Sequence, residues 1–508
     1  MHRLFDLPLL VILIGLGALA MYLPAAHALI LNEHAVARAF FYPACIILVM
    51  AAVLALATSQ YRPRNLVRSQ VLSLLGAYVV LPVVLAVPMV EAMEGLRFVD
   101  AWFEMVSSFT TTGATVLGAP QRVPDSVHLW RGVIGWLGGF FVLLAVMALF
   151  MPHNLGGFEV VSGGPQRRRR DGGSARVGAE IDEEVAGRRL VAVTLMLAPA
   201  YAGLTVVLAI GLIVAGQAPL MAAILAMSTL STSGIVMGGD SAVQAGLAGE
   251  GIILLFMVLA LTRNAMPGTA QPGALRTLRR DPELGFAIWL VLLVGLMLFA
   301  RHFIGALTQE GEVELPAALR VLWGSIFTAA SFLTTTGFAS AEWSAAQAWS
   351  GLGPAGLGLA GLALVGGGVA TTAGGLKLLR VFALYRHGAR EAERLIYPSS
   401  VAGRGHRARR LRRAGAVAAW VYFMLFVMTL VVVMALLTVF GLSFETALIL
   451  SISAVTTTGP LATFAMEAPI PLAALSDTVK VVLALAMVAG RVELLALIAL
   501  ALPENWRG

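Results

Sequence analysis

Charge is scarce in this chain: Asp, Glu, Lys and Arg make up 12% of its 508 residues. Cysteine is scarcer still. Cys45 stands alone inside an apolar run, which excludes a disulfide framework or a cysteine metal site within one chain. The eight histidines are scattered without ligand spacing, which argues against an intramembrane metalloenzyme. No Walker loop is present, and the glycine-rich stretches do not follow strands of a βαβ unit, so neither ATP nor NAD finds its usual motif. The chain is expected to be no enzyme and to carry no cofactor. A small-residue cleavage site is also lacking after the first apolar run, Leu7 to Leu29, although Arg3 precedes it. A second span near Tyr42 to Ala57 follows, so that run is read as an uncleaved first helix.

What is present is apolar surface. Hydrophobic residues make up 59% of the chain, in one stretch after another long enough to cross about 30 Å of hydrocarbon at ~1.5 Å per helical residue. The expectation is a polytopic membrane protein in contact with lipid. Lys and Arg exceed Asp and Glu, 35 to 28, but the excess lies in loops flanking spans, where it sets orientation rather than binding nucleic acid. RPRNLVR at 62–68, RRRR at 167–170, RTLRR at 276–280 and the arginine-rich segment from Lys377 to Arg413 are therefore placed in the cytoplasm. TQEGEVELP at 308–316 and MEGLRFVD at 93–100 carry acids and few positive charges, and are placed outside. The polar, Gly-rich segment 162–189 suits either a flexible connection or a partner-docking surface, and not a folded domain.

One interruption recurs: TTTGAT at 110–115, STSGIV at 231–236, TTTGFA at 334–339 and TTTGPL at 456–461. Each follows a helix-compatible segment read as too short to span: VDAWFEMVSSF, LMAAILAMSTL, LWGSIFTAASFL and SFETALILSISAV. The pattern is helix, re-entrant half-helix with loop, helix. Non-helical backbone at membrane depth is tolerated only where protein or a water-filled path satisfies it, so four such loops converge most economically on one axis as a pore lining. Threonine favours extended backbone and adds an oxygen, while glycine reaches positive φ and lets neighbouring carbonyls turn inward. A half-helix ending at each loop aims its negative end at the pore, which favours cations.

DAWFEMVSSFTTTGAT at 100–115, WLGG at 136–139, LRRDPEL at 278–284, TTTGFASAEWS at 334–344, GGGVATTAGGLKLLR at 366–380 and AMVAGRVELLAL at 486–497 resemble the Trk/Ktr/HKT superfamily of potassium transporters. The bacterial TrkH-type uptake subunit is the nearest type, and the resemblance covers essentially the whole chain. It implies an all-α polytopic membrane protein: four pseudo-symmetric helix, pore-loop, helix repeats around one pore, plus two amino-terminal helices. The expected divisions are 1–68 for those two helices, 69–160 for repeat 1, 161–188 for a cytoplasmic loop and 189–280 for repeat 2. Repeat 3, with a broken last helix, is expected at 281–412, and repeat 4 at 413–508. The resemblance assigns potassium, as substrate, to a filter of Thr111, Thr112, Gly113, Thr232, Ser233, Gly234, Thr335, Thr336, Gly337, Thr457, Thr458 and Gly459. Ser233 replaces a usual glycine, and Thr457 and Thr458 stand where asparagines are common in the TrkH type. A homodimer with one pore per subunit, a bacterial inner (plasma) membrane location with both termini cytoplasmic, and a nucleotide-binding cytoplasmic regulatory ring (TrkA-like) docked on the basic loops are likewise implied.

The apolar span from about Leu352 to Leu384 is broken by GGGVATTAGG, where a continuous helix costs about 1 kcal/mol per glycine. Close helix packing through small residues is one reading; the other, which the resemblance implies, is an intramembrane gate of Gly366, Gly367, Gly368, Thr371, Thr372, Gly374 and Gly375. Ala370 takes a usual glycine position in it, and Lys377 is expected to snorkel to the cytoplasmic interface. Glu104, on the first half-helix, either favours cations or hydrogen-bonds the filter backbone. Asp100 and Asp240 are read as solvated near the outer mouth. Arg491, mid-way along an apolar segment from about Val479 to Ala501, either pairs with another helix or snorkels, or else faces the pore below the filter and holds the gate loop. Glu493, two residues on, does not share its face. The expected function is a potassium-translocating subunit of an uptake system, by symport with protons or sodium or by potassium alone. An alternating-access carrier of an organic solute is the alternative.

Overall fold

The structure is a computed structural model, and it describes residues 8–59, 66–118, 123–150, 175–238, 242–243, 245–262, 281–305, 315–350, 355–397, 413–466 and 468–492. Residues 62–65, 167–170, 276–280, 308–314 and 398–412, together with Asp240 and Glu493, lie outside the described residues.

Two apolar helices, α1 (Leu9–Ala20) and α2 (Tyr22–Ile30), continue as one 22-residue stretch and pack against α3 (His34–Thr58). The chain then alternates spans with shorter helices: α4 (Leu66–Ala92), α5 (Phe98–Phe109), α6 (Asp125–Ala145), α7 (Ala175–Val214), α8 (Pro219–Ser231) and α9 (Gly246–Leu261). The alternation continues with α10 (Pro282–Gly305), α11 (Leu315–Leu333), α12 (Trp343–Ser350), α13 (Ala355–Val365), α14 (Leu378–Ile396), α15 (Arg413–Val439), α16 (Phe444–Val455) and α17 (Asp477–Val492). Eight stretches among the described residues are long and apolar enough to cross a membrane. The strand pairing among them is a two-residue parallel bridge, Ala242 to Ala339 and Val243 to Ser340.

The short helices begin on local signals. Pro219 occupies the first turn of α8, where its missing N–H has no helical partner to lose. Ser443 caps α16 by accepting from Thr446 N, and Asp100 and Glu445 place acids in the first turns of α5 and α16. Two expectations need correction. The third short helix is not too short to span: α11 runs for 19 residues, because LPAALRV ahead of LWGSIFTAASFL contains good helix formers and a proline only in the first turn. Within the expected 161–188 loop, residues 175–188 are helix and run directly into α7, as the Ala, Glu and Arg content of ARVGAEIDEEVAGR favours.

The carboxy-terminal turns of α5, α8, α11 and α16 are buried inside the molecule. Each of these helices packs against a helix that follows it, α6, α9, α13 or α17, and against the one that follows the preceding member of the set. Thus α6 contacts α8, α9 contacts α11, α13 contacts α16, and α17 returns to contact α5. The order closes on itself after four steps.

Candidate functional site

Each short helix ends in the same cap. The N–H of Thr112, Ser233, Thr336 and Thr458 reaches back to the carbonyl of Ser107, Ser228, Ser331 and Ser453, at 2.8, 3.0, 3.0 and 2.9 Å. The residue before each, Thr111, Thr232, Thr335 and Thr457, has φ of 55, 54, 57 and 54° and bonds its own N–H three residues back. This is the Schellman closure, normally built on glycine. Here a β-branched residue holds the left-handed position in four copies, so the expectation of extended threonines and a left-handed glycine alone is corrected. Gly113, Gly234 and Gly337 also have positive φ, but Gly459, which precedes Pro460, does not. In every loop the hydroxyls at the first and third places meet: Thr110 with Thr112 at 2.8 Å, Ser231 with Ser233 at 3.0 Å, Thr334 with Thr336 at 2.9 Å and Thr456 with Thr458 at 3.1 Å. Ser233 therefore keeps the loop's pattern in place of a threonine.

The loops touch in sequence. A Cβ on Gly113 would collide with the Ser233 carbonyl, one on Gly234 with the Thr336 carbonyl, one on Gly337 with the Pro460 ring and one on Gly459 with the Ala114 backbone. The last contact is also a hydrogen bond, Gly459 N–H to the Thr112 carbonyl at 2.6 Å. All twelve sequence-predicted loop positions are thus brought to one place, and the eight Thr and Ser side chains among them are buried, as are the adjoining Thr110, Thr334 and Thr456. Of the carbonyls expected to turn inward, that of Thr112 is turned to a neighbouring loop. Gly138, in the WLGG stretch, lets α6 lie against the Phe109 carbonyl at the end of α5.

Buried carboxylates fasten the loops from behind. Glu104 on α5 accepts from Val116 N at 2.9 Å and pairs with Arg131 on α6, which decides its two readings in favour of backbone hydrogen bonding. Glu250 on α9 does the corresponding work for the third loop. Asp100 is not merely solvated. Lys480, wholly buried on α17, donates to it at 2.6 Å, and Arg97 bridges it to Asp477. Burial alone would raise the Asp100 carboxyl, but the Lys480 and Arg97 hydrogen bonds outweigh it and hold the group below its ordinary value. Sequence reasoning missed Glu250, Arg131 and Lys480. The signal was available, since each is a charge on a predominantly apolar helix, and Glu250 is the lone charge of its own, the same rule that drew attention to Arg491.

Residues 366–377 form a buried, non-helical segment between α13 and α14. It is tied to three of the four loops or their helices: Thr372 Oγ1 donates to the Leu230 carbonyl at 3.0 Å, Gly374 N to Thr335 Oγ1 at 2.7 Å, and Gly374 lies so close to the Thr456 carbonyl that a Cβ would collide. Thr371 and Gly368 N anchor it to the Ala260 carbonyl at the end of α9, at 3.0 and 2.9 Å. Ala370, at φ 59°, occupies a conformation that suits the glycine usual there. Lys377 does not snorkel; it is buried and its Nζ donates to the Ala373 carbonyl within the segment. Arg491 is buried near the end of α17, and its guanidinium donates to Thr111 Oγ1 of the first loop. Its bond therefore goes to the loop, and the separation from the loop that its expected role assumed is corrected.

Buried re-entrant loops closing into one ring within a bundle of apolar spans define a membrane transport protein. The TrkH family model, described as a cation transport protein, matches residues 283–507. The chain is 29% identical over 435 residues to the Trk system potassium uptake protein TrkI of Halomonas elongata, covering 83% of this chain and 80% of the relative. It is 26% identical to TrkH of Salmonella typhimurium over 502 residues, 96% of each. The crystal structure of the potassium transporter TrkH from Vibrio parahaemolyticus superposes with a TM-score of 0.77 over 100% of both chains, at 22% identity. Over residues 283–507 the chain matches the TrkH family, whose members are ion transporters and not enzymes, and over most of its length it is similar to Trk potassium uptake proteins.

Proposed function

We propose that this chain is the potassium-translocating, ion-conducting subunit of a bacterial potassium uptake system. The observation that carries it is the fourfold recurrence of one strained cap, at Thr111, Thr232, Thr335 and Thr457, in loops that touch in a closed ring. The loop hydroxyls at the first and third places bond one another and brace the loops, and backbone carbonyls serve as ligands that replace an ion's water shell. The four helix C-termini add their negative ends at the same place. An ion taking ligands from the first loop displaces the bond between the Thr112 carbonyl and Gly459 N–H. A carrier for an organic solute is the weaker reading, because the contacts divide into four equivalent steps rather than two halves.

The segment 366–375 is read as the gate, since it ties to the second, third and fourth loops at once. Arg491 adds a positive charge beside Thr111 that raises the barrier to cations. The relatives are named as potassium uptake proteins of a Trk system; our reading adds, from the resemblance of the motifs and the basic loops, an inner-membrane homodimer under a nucleotide-binding cytoplasmic partner. Purified protein in vesicles, with potassium, sodium and proton gradients imposed one at a time, tests this reading. Potassium flux that exceeds sodium flux is expected; vesicles that pass neither ion, or sodium equally well, would refute it.

A further inference from the structure

Glu250 is buried, with 1% of its surface exposed, on the helix that ends repeat 2. Its carboxylate nevertheless serves repeat 3. Both oxygens accept from Ser340 Oγ at 2.9 Å, Oε1 accepts from Ala341 N at 2.9 Å, and Oε2 accepts from Trp323 Nε1 at 2.7 Å. Ser340 and Ala341 lie three and four residues beyond Gly337, in the segment that leaves the third loop, whereas Trp323 stands on α11, the helix that leads into it. One side chain from a neighbouring repeat thus fixes both sides of the loop.

The same place behind the first loop is held differently. There Glu104 comes from the loop's own helix, accepts from Val116 N three residues beyond Gly113, and has Arg131 as its counter-charge. In the third loop Ser340 N, the matching group, goes to the neutral Thr328 Oγ1 at 3.2 Å, and the carboxylate is supplied across the repeat boundary. Glu250 has no cation within ion-pair distance among the described residues, so its burial is offset by three neutral donors alone. Loops 1 and 3 stand opposite each other in the ring, so two facing walls are fastened by carboxylates.

We propose that Glu250 is a positioning residue that sets the cation selectivity of the third loop. By holding Ser340, Ala341 and Trp323 together it fixes the register in which the Thr335 to Gly337 backbone meets the ion. This rests on the reading of the four loops as a potassium filter. A glutamine is close in size but brings one carbonyl and two N–H donors to a place where three donors already converge, so at least one buried donor loses its acceptor.

The test is the potassium-to-sodium flux ratio in vesicles containing the parent, Glu250→Gln, Glu250→Asp or Ser340→Ala protein. The ratio should fall roughly tenfold in Glu250→Gln, the change that one lost buried hydrogen-bond partner can produce. It should fall less in Glu250→Asp, which keeps the acceptor charge, and should also fall in Ser340→Ala, which removes one donor and leaves Glu250 in place. A folded Glu250→Gln protein with the parent's ratio overturns the inference, and if that variant does not reach the membrane, an unchanged ratio in Ser340→Ala overturns it equally. A parent that does not prefer potassium sinks the filter reading itself, which separates the two failures.

Discussion

Thr111, Thr232, Thr335 and Thr457 each hold a backbone conformation that β-branched residues avoid, at about 1–3 kcal/mol apiece. Strain kept at four equivalent places is sustained by what surrounds it: serine carbonyls on one side, neighbouring loops on the other. Glu104 belongs to that support. Glu104→Ala should destabilise the protein by about 3–5 kcal/mol, because the Arg131 guanidinium stays buried without its carboxylate. A lowered unfolding midpoint in detergent checks this; an unshifted midpoint would show the pair to be dispensable. Arg491→Ala should raise potassium flux, since a unit charge within ~10 Å at an effective dielectric of ~20 adds roughly 1–2 kcal/mol to a barrier, about tenfold in rate. Equal or lower flux from a folded variant would return Arg491 to a structural role; because it bonds Thr111, the selectivity ratio should be recorded as well. The twelve loop residues could be read from the sequence because their pattern repeats four times. Glu250 and Lys480 could not be read as partners, since each meets its contacts across repeats, 90 and 380 residues away.

At the scale of elements, the spans and short helices follow the apolar runs closely, and deviations have local causes. Helix α11 extends because good helix formers precede the expected segment, and α7 begins early within a stretch that composition alone marked as loop. The break at 366–377 was legible in its glycines, but its anchoring was not, because the bonds of Thr371, Thr372 and Gly374 go to partners at 260, 230 and 335. Removing residues 366 to 375 should raise potassium flux in the absence of any regulator, as the segment no longer lies against the second, third and fourth loops. Flux from vesicles holding equal amounts of folded deletion and parent protein decides it. A deletion that conducts no faster than the parent takes the gate away from this segment.

At the scale of the whole molecule, the four-step packing order from α6 on α8 round to α17 on α5 makes the centre a shared product of all repeats. The proposed cytoplasmic partner would take its docking charge from the basic sequence stretches at 167–170 and 276–280 and those between Lys377 and Arg413. Capture of the chain from native membranes in mild detergent should recover a soluble nucleotide-binding protein, and its affinity should weaken as salt rises. Regulated uptake by the purified chain alone, with no such protein recovered, would contradict that assembly.

The central claim is that the ring of four loops selects potassium, and Gly113 is where it can be probed most directly. A side chain there must occupy the place of the Ser233 carbonyl from the next loop, at a φ of 74° that L-residues resist. The measurement is the potassium-to-sodium flux ratio of folded Gly113→Ser protein in vesicles, beside the parent at equal protein density. A ratio that falls toward one, with sodium admitted, is the predicted result; a ratio unchanged from the parent's would contradict the account.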